Sequence, residues 1–117
     1  MTTEPVFDFN EVVDRFDGDV QFVSDLVTEF FATQGDRVAV VQDAIVRNCA
    51  NEVAEAIHAL RSSLLGLGAR RAAALAFELE KAGQKSELSS APAILDGVKQ
   101  EIAEFYVEAV RAGVLQK

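Results

Sequence analysis

The chain's only histidine, His58, opens the stretch "HALRSS", with Arg61 three residues on and Ser62 four residues on. In a helix these spacings place the three side chains on one face, together with Ala54 four residues before and Leu65 seven after. Imidazole titrates near neutrality and is an effective nucleophile when uncharged. A guanidinium and a hydroxyl beside it supply charge and hydrogen bonds for an anion. These types at this spacing fit nucleophilic capture of a phosphoryl group by histidine. The surrounding sequence agrees. From Ala56 to Phe77 there is no Asp or Glu, while Arg61, Arg70 and Arg71 fall inside. Such a basic run stands out in a protein whose formal net charge is −8 and whose pI is near 4.5.

Other chemistries lack their parts. A metal site needs several His, Cys or carboxylate ligands at matching spacing, and one His with one Cys does not provide them. Cys49 precedes a chain corner and reads as a bystander thiol. No glycine-rich phosphate loop marks an ATP site. A base with an orienting partner, as a hydrolase requires, is not found. Counterion release needs clustered Lys and Arg, so the acidic balance argues against nucleic-acid binding, and it disfavours anionic lipid surfaces as well. The first residues, "MTTEPVFDFNEVV", lack the basic and apolar regions of a signal peptide, and no apolar run approaches a membrane span. A cytoplasmic location with no cofactor is expected.

The elements that position His58 are helices. Strand alternation and hairpin dipeptides are lacking, while helical periodicity recurs along the chain. "DFNE", Asp8 to Glu11, is a capping-box pattern opening a short helix that ends near Phe16. Asp17 to Asp19 forms a turn, and Asp19 caps a second helix carrying Val23, Leu26, Val27 and Phe30. That helix continues through Val38, Val41 and Ile45, with Gly35 a weak point for a kink or break. Asn51 is the expected cap of a third helix from Glu52, stopped by Gly66 to Gly68. A fourth helix is predicted over 69–82, closed by Gly83, and Ser90 caps a fifth with Pro92 in its first turn.

In the third helix Val53, Ile57, Leu60, Leu64 and Leu67 recur at spacings of four and three, which marks the core stripe. At 3.6 residues per turn, His58 points away from that stripe. Ser63 lies on the flank toward a neighbouring helix. Arg70 and Arg71 sit in a first helical turn, where the macrodipole mildly disfavours cations, so another use for them is indicated. The expected fold class is all-α, an antiparallel four-helix bundle with a short extra N-terminal helix, formed by residues 1–117 as a single domain.

The sequence resembles the histidine-containing phosphotransfer (HPt) domain of two-component phosphorelays. The resemblance runs from about Phe7 to Val110 and is carried by His58, Leu60, Arg61, Ser62, Ser63, Gly68, Ala69, Leu75 and the pair Leu79-Glu80. Two positions depart from the family pattern, with Arg61 in place of lysine and Ser62 in place of glycine. The resemblance implies a phosphorelay intermediate. His58 would accept a phosphoryl group from the phospho-aspartate of a receiver domain and pass it to another receiver aspartate. Arg61 and Ser62 would support the phosphate, and Ala54 and Leu65 would serve docking. Implied partners are receiver domains of response regulators or hybrid sensor kinases, which would bring the Mg²⁺. Such a protein is a phosphoryl carrier more than a stand-alone enzyme. The alternative is a degenerate bundle that binds a receiver or kinase without being phosphorylated. The plain N-terminus and family-length bundle favour a stand-alone chain.

Overall fold

The computed structural model describes residues 5–116. They form five helices, α1 (Phe9–Arg15), α2 (Val20–Val46), α3 (Ala50–Gly66), α4 (Arg70–Gln84) and α5 (Ala91–Arg111). No strand occurs among the described residues. The four long helices pack in a ring, α3 against α4, α4 against α5, α5 against α2 and α2 against α3. This is the all-α bundle with a short leading helix that the periodicity predicts.

The apolar stripes meet inside. Val53, Ile57, Leu60 and Leu64 of α3 are fully buried, as are Val98, Phe105 and Ala109 of α5. Phe105 is the centre of an aromatic cluster, with ring centroids of Phe7, Phe30 and Phe31 at 5.0, 5.8 and 4.9 Å. Aromatic pairs at such separations add to simple area burial.

The helix starts are only partly those expected. Asp8 accepts from the Glu11 amide at 3.2 Å and Asp19 from the Phe22 amide at 3.0 Å, so both caps form. The capping box at α1 is half made. Asp8 N–H donates to the Gly68 carbonyl instead, and Glu11 turns to Arg15. Asn51 does not cap α3. The helix begins earlier, with Cys49 at the N-cap position, because Asn48 takes φ +57° and reverses the chain at once. Arg47 binds Asp43 and Glu52 across this corner, and their carboxylates raise its pKa above the ordinary arginine value. Ser90 occupies the N-cap position of α5 without a side-chain cap, while Pro92 lies in the first turn as expected. Gly35 does not break α2, which is continuous from Val20 to Val46. Its helix cost of about 1 kcal/mol is outweighed by burial of Val27, Phe30, Val38 and Val41 on either side.

The helix ends follow one device. After each long helix a left-handed residue lets its own amide and the next one bond back to the last turn, which is the Schellman arrangement. The left-handed residues are Asn48, Gly68, Ser86 and Gly113. After α3, Gly68 N–H reaches the Leu65 carbonyl at 3.1 Å and Ala69 N–H reaches Leu64 at 2.9 Å. Gly68 is doubly constrained, since a Cβ there would lie 2.5 Å from Val12 Cγ2.

Gly83 is not the stop of α4. The helix runs on to Gln84 and turns at Ser86. Gly83 is buried against α3, where a Cβ would meet Ala50 O and Ala54 N at 2.9 Å. It therefore fixes how closely α3 and α4 approach.

Candidate functional site

The turn at Gly68 makes α3 and α4 a tight antiparallel hairpin. His58 lies ten residues before Gly68 and Glu80 twelve after it, so the two come level on adjacent helices. The closeness that Gly83 permits brings their side chains into contact. His58 Nδ1 is 2.8 Å from Glu80 Oε2. Arg61 Nε donates to the other carboxylate oxygen, Oε1, at 2.7 Å. Glu80 thus joins the nucleophile candidate to the cation beside it.

Their environments differ. The His58 side chain is 56% exposed, Arg61 23% and Glu80 8%. Glu80 is the one buried charged residue among the described residues. A buried carboxylate is tolerable only when paired and hydrogen-bonded, and here each oxygen has a partner. The guanidinium of Arg61 also lies over the Phe77 ring, 4.9 Å from its centroid. The Lys81 ammonium lies 4.8 Å from the same centroid and pairs with Glu78 at 3.1 Å.

The hydrogen bonds fix the imidazole. A carboxylate only accepts, so Nδ1 carries the proton and donates it to Glu80. Arg61 Nη2 also approaches Nδ1, at 3.5 Å, but the shorter charge-assisted contact claims the proton. In the neutral ring the lone pair is then on Nε2, on a side chain more than half exposed.

The residues singled out by spacing separate into groups. His58 faces outward, as the stripe requires, and Ser62 is exposed one turn further on. Leu65 is 46% exposed and lies beyond Ser62 on the same side. Ala54 is half-buried beside Gly83, which gives its small size a packing reason. Arg61 is not the solvent-facing cation that periodicity alone implies, being held between Glu80 and Phe77. The carboxylate-free neighbourhood also ends at the sequence level. Glu80 reaches His58 and Arg61, Glu101 pairs with Arg71 at 2.7 Å, and Glu11 approaches Arg70 at 3.8 Å. The placement of Arg70 and Arg71 is accounted for by these ties. Ser63 faces α2, accepting from Arg37 Nη1 at 2.8 Å, as its flank position suggests.

Glu80 is the site residue that spacing alone does not reveal, though it closes the Leu79-Glu80 pair of the motif. The available signal is the near-equal distance of His58 and Glu80 from Gly68, which becomes useful once the hairpin is drawn. Phe77 is 43% exposed and belongs to the same surface through its contact with the Arg61 guanidinium. Among the described residues no group of His, Cys, Asp and Glu is placed to hold a metal ion, and no helix is long and apolar enough to cross a membrane.

The fold and site are thus a helical bundle that presents one exposed imidazole, braced from a neighbouring helix. The family model of the Hpt domain matches residues 25–108, well over half of the chain. The chain belongs to the Hpt domain family, and membership implies histidine phosphotransfer in a phosphorelay. No curated protein and no solved structure matches the chain.

Proposed function

We propose that the protein is a phosphorelay carrier whose phosphoryl acceptor is His58 Nε2. The observation that carries this reading is the Nδ1 contact to buried Glu80, which assigns the proton to one ring nitrogen and the lone pair to the other. The Nε2 lone pair attacks the phosphorus of a receiver's aspartyl phosphate. A P–N bond forms, the P–O bond to aspartate breaks, and the aspartate leaves as a carboxylate. The ring keeps its Nδ1 proton and gains a positive charge, which Glu80 faces. Onward transfer reverses these steps toward another receiver aspartate, with that carboxylate as nucleophile.

Positioning and charge neutralisation are the main demands of phosphoryl transfer. The receiver supplies Mg²⁺, and this chain supplies an oriented nucleophile on a rigid hairpin. Ser62 flanks the acceptor, and exposed Leu65 and Phe77 offer apolar contact to the receiver. Receiver domains of response regulators or hybrid kinases are the partners that fit.

The test is incubation with a panel of phosphorylated receivers. Wild-type protein is expected to take up acid-labile label, and His58→Gln to take up none while keeping its helical circular dichroism. Label on His58→Gln would refute the assignment of the acceptor. Receiver binding by wild-type protein without any label would support the unphosphorylated adaptor instead.

A further inference from the structure

Arg61 occupies the position next to the acceptor where a phosphate-supporting cation is expected, but its groups are already engaged. Nε is on Glu80 Oε1, the guanidinium carbon lies over the Phe77 ring, and Nη2 lies near Nδ1. The Glu80 and Phe77 contacts hold it in place, and the approach of Nη2 puts it on the Nδ1 side of the ring, away from the edge where a phosphoryl group would sit. Moving it outward would strip a buried carboxylate of its guanidinium.

A second cation shares the Phe77 ring with Arg61 and is held more loosely. Lys81 follows Glu80 directly and lies four residues after Phe77, so its stem runs along the Phe77 ring. Its ammonium and the Arg61 guanidinium are each within 5 Å of one ring centroid, which limits their separation to about 10 Å. It also pairs with Glu78, an exposed i,i+3 contact of little strength. Lysine is a compact point charge on a flexible stem, suited to following a phosphoryl group as it arrives and leaves.

We infer that Lys81 is the cation that neutralises the phosphoryl group on His58, and that Arg61 is a positioning residue for Glu80. This rests on the reading of His58 as the acceptor. Phosphorylation brings two negative charges to the exposed edge of the ring, and Lys81 leaves Glu78 to meet them. Glu78 acts as a competitor that parks the ammonium when the histidine is free.

The experiment uses phosphoramidate, a small donor that needs no receiver. Its P–N bond breaks with release of ammonia as the new bond to His58 Nε2 forms. Labelling rates are read by gel mobility shift and ³¹P NMR for the wild type, His58→Gln, Lys81→Met, Lys81→Arg and Glu78→Gln. Methionine keeps an apolar stem over Phe77 and removes only the charge. Lys81→Met is expected to label about tenfold more slowly at unchanged melting temperature, the effect of losing one partly exposed charge-assisted contact. Lys81→Arg should recover most of the rate, and Glu78→Gln should label faster than wild type. Wild-type rates for Lys81→Met, or slower labelling of Glu78→Gln, would overturn the inference alone. Absence of label on His58 in the wild type would overturn the acceptor assignment, and this inference with it.

Discussion

Arg61 shows how a side chain's role depends on where its second partner comes from. Its spacing from His58 predicts a cation reaching into solvent, and replacement by alanine would then leave stability unchanged. In the structure its partner is the buried Glu80 carboxylate, 19 residues away along the chain. Arg61→Ala leaves that carboxylate with the imidazole alone. A loss of about 1–3 kcal/mol is expected, because one oxygen of a buried charged group loses its hydrogen bond. Urea denaturation at neutral pH measures it, and an unchanged midpoint would return Arg61 to the surface role that spacing suggests. Phosphate acceptance should fall in the same variant, since Glu80 would be free to leave Nδ1.

At the scale of helices, the two interior glycines behave oppositely. Gly83 meets the α3 backbone, which cannot move aside as a flexible side chain would. Gly83→Ala should therefore be destabilising by about 1–3 kcal/mol despite alanine's better helix propensity. It should also slow labelling of His58, because the spacing of α3 and α4 sets the Glu80 contact. Gly35 has open space where a Cβ would go. Gly35→Ala should stabilise by about 0.5–1 kcal/mol, and thermal melts of the two variants are expected to move in opposite directions. The sequence reads these glycines less well than it reads the stripes. Periodicity identifies the buried face of α3 and hence the outward direction of His58. It does not distinguish a glycine that ends a helix from one that lets a neighbour approach, which is a property of the pair of helices. Asn48 and Ser86 take the left-handed positions where glycine is the usual marker, so the starts and stops near them shift by a few residues. Glu80 is visible as a motif letter, but its burial and its two partners arise only when the hairpin closes.

Over the whole molecule, 42 × 29 × 23 Å in extent, the helices share one set of buried side chains. The short α1 is tied to the site-bearing hairpin. Arg15 donates to the Gly66 carbonyl at 2.9 Å, and Asp8 N–H donates to that of Gly68. Loss of helicity at 222 nm and the change in Tyr106 fluorescence on heating are expected to coincide, as in a two-state transition. Separated midpoints would show that the α2–α5 side, where Tyr106 meets Phe31 edge to face, melts independently. The pairing of His58 with a residue beyond the turn has a consequence for signalling. A peptide carrying only α3 would contain the histidine, the arginine and the apolar stripe, yet its imidazole would exchange freely between tautomers. On the proposed reading of His58 as acceptor, competence to take a phosphoryl group would be acquired only when the hairpin docks. A damaged or half-folded copy would then be a poor acceptor, and would drop out of the relay instead of intercepting its flux.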